Sequence, residues 1–137
     1  PTVVLRGDFI AIIALGLACI TPMATIANIM LANNMSDIEE DQRNHRHTLP
    51  MYLGQWWSPR VYALLAYAGF LAVILGVIFG ALPMWTLVVE LAWPLVIRNV
   101  HRFIRDPSKQ RTFHTAVINL VLENGLLVVG LGMGVVL

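Results

Sequence analysis

Residues 9–31 carry no charged side chain. Few features constrain a chain more. A hydrocarbon core about 30 Å thick is crossed by about 20 apolar residues in a helix. Inside it every backbone N–H and C=O must be paired within the protein, so a single apolar run of this kind has to be helical. A second uncharged run covers residues 61–80, a further apolar run covers 113–137 with Glu123 as its one acidic residue, and a shorter one covers 83–97 with Glu90 inside it. The expectation is an all-α, polytopic transmembrane helix bundle with four spans, at 9–31, 61–80, 83–97 and 113–137, forming a single domain over 1–137. Composition agrees, because 58% of residues are hydrophobic and 12% charged, against about 25% charged in a soluble domain. A net charge of +1 gives no ground for a nucleic-acid partner.

Several residues qualify the spans. Residues 2–8 read as a short loop, with Arg6 and Asp8 just ahead of the first span. The chain starts at Pro1 without a basic leader, which predicts an internal start or a partial chain. Ala14, Gly16 and Ala18 would admit close helix contact, and Pro22 should bend the first span. Asn28 reads as an interhelical hydrogen bond or as a ligand-facing amide. Cys19, the lone cysteine, reads as a small buried hydrophobe. Tyr52, Trp56 and Trp57 suit a membrane–water interface. Ser58-Pro59 resembles a helix start. Gly80 to Pro83 reads as a tight turn, and Gly125, Gly130, Gly132 and Gly134 as a packing face. Glu90 and Glu123 are costly in a span, so each reads as a hydrogen-bonded carboxyl at a helix contact or as a functional group.

The basic residues fall on one side. Arg43, Arg46 and Arg60 follow the first span, and Arg98, Arg102, Arg105, Lys109 and Arg111 follow the third, leaving only Arg6 of the nine. The bias of Lys and Arg toward the inside places both loops in the cytoplasm, on one membrane face.

The densest polar run is residues 33–49. The helix should persist to about Asp41, with a loop beyond. Asp37 and Asp41 are four apart and share a helical face, one turn from each other. Asn34 lies three residues before Asp37, on the same stripe. Magnesium takes oxygen ligands, commonly one or two carboxylates plus substrate phosphates. Arg43 and Arg46 follow, and arginine forks suit phosphate oxygens. Glu39 and Arg43 also form an i,i+4 pair that would simply support the helix. The plain alternative for the whole run is a solvated loop.

The full string, Asn33-Asn34-x-x-Asp37-x-x-x-Asp41, Arg43, Arg46-x-Thr48-Leu49 and Leu53-Gly54, resembles the second aspartate-rich motif of UbiA-type membrane prenyltransferases. It is most similar to the 1,4-dihydroxy-2-naphthoate polyprenyltransferases of menaquinone synthesis. Their pattern reads N-N-x-R-D-x-x-x-D-x-x-x-G-R-K-T-L-A-x-x-L-G. Ser36 stands where the pattern has arginine, His45 where it has glycine, His47 where it has lysine and Pro50 where it has alanine. The specific match covers residues 28–54.

The resemblance implies the carboxy-terminal part of a larger bundle of about nine helices, whose other aspartate-rich motif lies on helices outside these residues. It implies magnesium-dependent transfer of a polyprenyl group from its diphosphate to 1,4-dihydroxy-2-naphthoate, with loss of carbon dioxide, giving demethylmenaquinone. Asp37 and Asp41 would hold the metal. Arg43 and Arg46 would act with them on the diphosphate, and Asn33 and Asn34 would bind substrate. From the residues themselves, Asn28 is a further substrate-binding candidate, and so are Arg98 and Arg102, which share a helical face in a basic loop whose plain alternative is a topology signal. The partners implied are the two substrates, the lipid bilayer and the remaining helices, in a bacterial plasma membrane with the site facing the cytoplasm. Two other classes fit the pattern: a small four-helix transporter using Glu90 or Glu123, and a non-catalytic membrane fragment or subunit.

Overall fold

A computed structural model describes the backbone of residues 2–136 and the side chains of residue 9 and residues 11–136. Helix α1 runs Thr2–Ser36 and, after a break at Asp37, α2 runs Ile38–Arg43. Helix α3 runs Leu49–Ile78, then a 3-10 helix covers Met84–Ala92, α4 Trp93–Arg105 and α5 Phe113–Val136. The described residues contain no strand, so the all-α expectation holds. Within α1, α3 and α5, the stretches 11–36, 49–78 and 113–136 are long and apolar enough to cross a membrane.

Two loops close one end of the bundle, and a turn closes the other. At the polar end Lys109, between α4 and α5, meets Asp37, between α1 and α2. At the opposite end the chain turns after Ile78, where Ala81 and Leu82 both donate backbone hydrogen bonds to the Gly76 carbonyl, at 2.7 and 2.9 Å. Residues 84–105 therefore carry the chain from one end to the other. They do so in two pieces rather than as the one span expected over 83–97. A 3-10 helix rises about 2.0 Å per residue against 1.5 Å in an α-helix, so nine residues of it cover about 18 Å. The tighter winding lengthens a run that is short for its task.

The core is a column of side chains from every long element. Leu31, Ala32 and Met35 of α1 meet Tyr62, Ala66, Phe70 and Val73 of α3. Val89, Ala92, Val96, Val100 and Phe103 fill the column from the 3-10 helix and α4, with Ala116 and Leu127 from α5. Phe103 lies tilted against Tyr62 at 4.7 Å, and Trp93 meets Phe70 edge-on at 4.6 Å. Glycine sets the closest approach. A Cβ on Gly130 would lie 2.6 Å from the Thr86 Cα, so α5 and the 3-10 helix touch backbone to backbone there. Gly134 packs against the Pro83 ring, whereas Gly125 and Gly132 face open space. The packing face is thus one i,i+4 pair, not all four glycines.

Other local expectations change. Residues 2–8 are helical, not a loop; the Arg6 and Asp8 side chains lie outside those described. Gly16 touches nothing, and Cys19 is exposed on the outer face of α1. Ser58 is not a helix cap. The helical run starts at Leu49 and is interrupted at Gly54, whose φ of 71° suits glycine. Ser58 Oγ donates back to the Gly54 carbonyl at 2.8 Å and to that of Pro50 at 3.3 Å. It thereby satisfies carbonyls released by the break.

Candidate functional site

The site forms where apolar sequence gives way to polar sequence. The α1 helix persists through Asn33 and Asn34 to Ser36, and Ser36 Oγ donates to the Ala32 carbonyl at 2.9 Å. A hydroxyl bonded back to its own helix competes with the regular ladder, and the chain breaks at the next residue. Asp37 has φ −110° and ψ 11°, and α2 resumes immediately. The Asp41 N–H donates to the Asp37 carbonyl at 2.8 Å, so the two aspartates are one turn apart, as their spacing predicts.

Their side chains go to different partners. Asp37 Oδ2 accepts from Asn33 Nδ2 at 3.2 Å and from Lys109 Nζ at 2.5 Å. The same Lys109 Nζ donates to Asn33 Oδ1 at 2.5 Å. Asp41 is 6% exposed, and its Oδ1 lies 3.8 Å from Arg46 Nη1. The Arg46 backbone N–H donates to the Asp41 carbonyl at 2.8 Å, which folds the following loop back onto α2. That fold requires a left-handed residue, and His45 supplies it at φ 54°. This is the position where the resembling pattern has glycine. Histidine is among the residues that enter this region more readily than most.

Lys109 is the site residue that sequence order hides. It sits in a loop tied by the Thr112 side chain: the Ser108 N–H donates to Thr112 Oγ1 at 3.0 Å, and Thr112 Oγ1 donates to the Asp106 carbonyl. Asp37 and Lys109 line one cleft of about 620 Å3 with Glu39, Glu40, Arg43 and Gln110. Arg43 is 3.8 Å from Glu39, both well exposed, which is the i,i+4 pair expected from the sequence. Beside it lies an apolar cleft of about 470 Å3 whose walls include Pro50, Met51, Pro59 and Ile104. The two share Met35, Ile38 and Pro107.

The remaining candidates stand apart. Arg98 and Arg102 line a separate cleft with His101, Arg105 and Arg111, away from the residues around Asp37. Asn34 borders a small depression with Asn33 and Phe113. Asn28 is buried, and its Oδ1 has no hydrogen-bond partner among the described residues.

A second polar group lies within the bundle. Glu123 is fully buried on α5, close to where Thr21 of α1 and Gly69 of α3 meet. Thr21 Oγ1 donates to the Gly69 carbonyl at 3.2 Å, and neither Glu123 carboxyl oxygen has a partner among the described residues. Asn99 donates to Asn119 at 2.7 Å, and Asn124 donates to Thr25 Oγ1 at 2.8 Å. Glu90 borders an apolar groove with Tyr67, Phe70 and Trp93.

The donor set at Asp37 fits a hard divalent cation. Two oxygens from different side chains already converge on one positive atom. Among the described residues no three His, Cys, Asp or Glu side chains gather into a metal cluster. Magnesium does not need one, since it keeps waters and takes substrate phosphates alongside one or two carboxylates.

Residues 2–122 match the family model described as the UbiA prenyltransferase family. The chain is 33% identical over 86 residues to the 1,4-dihydroxy-2-naphthoate octaprenyltransferase of Bacillus subtilis, covering 62% of this chain and 28% of that protein. It is 32% identical over 98 residues to the 1,4-dihydroxy-2-naphthoate octaprenyltransferase of Mycobacterium leprae, covering 71% of this chain and 31% of that protein. The chain thus spans under a third of the length of these relatives. No solved structure matches it.

Proposed function

The chain belongs to the UbiA prenyltransferase family, and on that premise we propose that it supplies one side of the diphosphate site of an aromatic polyprenyltransferase. The reaction moves a polyprenyl group from polyprenyl diphosphate to 1,4-dihydroxy-2-naphthoate. The carbon–oxygen bond to diphosphate breaks, a carbon–carbon bond to the ring forms, and the ring carboxylate leaves as carbon dioxide. The product has the demethylmenaquinone skeleton. The observation that carries this reading is the convergence of Asp37, Asn33 and Lys109 beside an apolar cleft. A polar cleft joined to an apolar one matches a ligand with a charged head and a hydrocarbon tail.

The proposed roles are these. Asp37 and Asn33 would hold magnesium through their side-chain oxygens, with Asp41 one turn on as the second carboxylate. Magnesium bound there would neutralise charge on the leaving diphosphate. Arg43 lines the same cleft, and from its exposed position it would reach phosphate oxygens. Asp41 holds Arg46 over the start of the loop, so Arg46 is oriented before substrate arrives. Met35, Ile38 and Met51 give the first part of the prenyl chain an apolar wall. Arg98 and Arg102 form an outer basic approach to the same membrane face. That face is the cytoplasmic side of the plasma membrane, by the distribution of Lys and Arg.

The test uses the full-length protein in lipid, with a polyprenyl diphosphate, dihydroxynaphthoate and titrated magnesium. Product should form and depend on magnesium. Asp37→Asn and Asp41→Asn should each abolish it, while Glu39→Gln, whose carboxyl points to exposed Arg43, should be mild. Equal turnover in all three variants would remove the metal assignment.

A further inference from the structure

Lys109 occupies an unusual position for a lysine on a polar loop. Its Nζ lies 2.5 Å from both Asp37 Oδ2 and Asn33 Oδ1, more than seventy residues away in sequence. A surface lysine ordinarily keeps its ammonium hydrated, because fixing a long side chain costs about 2 kcal/mol of rotamer freedom. Here the loop removes part of that cost. Thr112 ties the loop's backbone at Asp106 and Ser108, and the lysine passes 5.6 Å over the Phe113 ring. The ammonium therefore reaches a set of oxygens that would equally suit a metal ion. Arg111, two residues on, is instead held by Asp106 at 3.0 Å and does not take part.

We propose that Lys109 is a resident cation of the diphosphate site. Without substrate its ammonium holds the Asp37 and Asn33 oxygens. When a divalent cation arrives with diphosphate, the ammonium leaves those oxygens and donates to phosphate instead. This rests on Asp37 being a metal carboxylate, as set out above. Two charges cannot share one oxygen pair, so Lys109 opposes a divalent cation that comes alone. Diphosphate removes the conflict by giving the ammonium another anion. Metal and diphosphate then strengthen each other's binding, and by linkage they do so to the same extent. The site discriminates against free metal and against diphosphate without metal.

The experiment measures Mn2+ binding by electron paramagnetic resonance, with and without inorganic pyrophosphate as probe, on the full-length protein in nanodiscs. In the wild type, pyrophosphate should tighten Mn2+ binding at the site that Asp37→Asn removes. Lys109→Met should tighten binding of Mn2+ alone by about five-fold, the scale of one partly exposed ion pair, and should reduce the gain from pyrophosphate. Lys109→Arg, which keeps the charge, should retain that gain. Arg111→Gln removes a charge from the same loop and should change neither value. If Lys109→Met leaves Mn2+ affinity unchanged or lowers it, or if Arg111→Gln tightens it equally, Lys109 is not a resident cation. If instead Asp37→Asn leaves all Mn2+ binding intact, the metal reading of Asp37 fails, whatever Lys109 does.

Discussion

The polar end and the middle of the bundle both carry buried or half-buried carboxylates, yet they treat them in opposite ways. At the polar end each of the motif aspartates has a cation: Asp37 has Lys109 and Asp41 has Arg46. Those cations come from loops, where long basic side chains can be supplied and can move. In the middle, Glu123 is fully buried and Glu90 half-buried, and no Lys or Arg forms an ion pair with either among the described residues. Their neighbours are threonine, glycine and aromatic rings. On the proposed reading, the difference separates chemistry from assembly. Paired, partly exposed charges on loops can exchange partners for a ligand. A carboxyl enclosed by three helices cannot do so without moving them.

If these residues supply one side of a larger bundle's site, as proposed above, the largest effect should come from separating them from it. Residues 1–137 alone present one acidic motif to a ligand of several negative charges. Positioning of two substrates is worth orders of magnitude in rate. Turnover by the isolated segment, assayed in lipid with both substrates and magnesium, is expected to fall at least about 1,000-fold below that of the full-length protein. Turnover within ten-fold of it, roughly 1.4 kcal/mol, would place the whole site in these residues.

The middle of the bundle should answer in stability instead. A side chain added at Gly130 meets the Thr86 backbone, so Gly130→Val should lower unfolding stability by about 2–3 kcal/mol, as overpacking does. Gly132→Ala, which meets open space, should stay within about 0.5 kcal/mol. Thermal unfolding in detergent distinguishes them, and equal shifts would mean that the 3-10 helix does not lie against α5 at Gly130.

How much of this was legible depends on what kind of signal each part leaves. Uncharged runs of span length fix helices because lipid offers no alternative partner for the backbone. The convergence of both basic loops on one end follows from charge placement, and the Lys109–Asp37 contact bears it out. The 3-10 winding of residues 84–92 left no such trace. Nine residues are too few to tell a period of three from one of about 3.6 in the sequence. Lys109 was missed as a site residue because its meeting with Asp37 depends on how two loops fold together. The break at Gly54 was open to suspicion, since glycine within an interfacial helix commonly marks a left-handed residue. The outward position of Cys19 had no local signal at all.

A smaller effect than that of Gly130→Val belongs to the polar end's backbone. His45 holds φ at 54°, where glycine fits without strain. His45→Gly should raise stability by about 0.5–1 kcal/mol, and denaturant unfolding measures it. A loss of that size would mean that the His45 side chain contributes contacts of its own.

The division between the two regions is tested most directly by exchanging one carboxyl in each. Asp37→Asn and Glu123→Gln are each made in the full-length protein, and prenyl transfer and thermal unfolding are measured on the same preparations. Asp37→Asn should lose turnover by at least about 100-fold, the scale of a lost metal or oxyanion contact, while unfolding with the wild type. Glu123→Gln should keep turnover within about three-fold, under 1 kcal/mol, and register only in its unfolding temperature. Loss of turnover in Glu123→Gln with activity retained in Asp37→Asn would contradict the account and move the chemistry into the middle of the bundle.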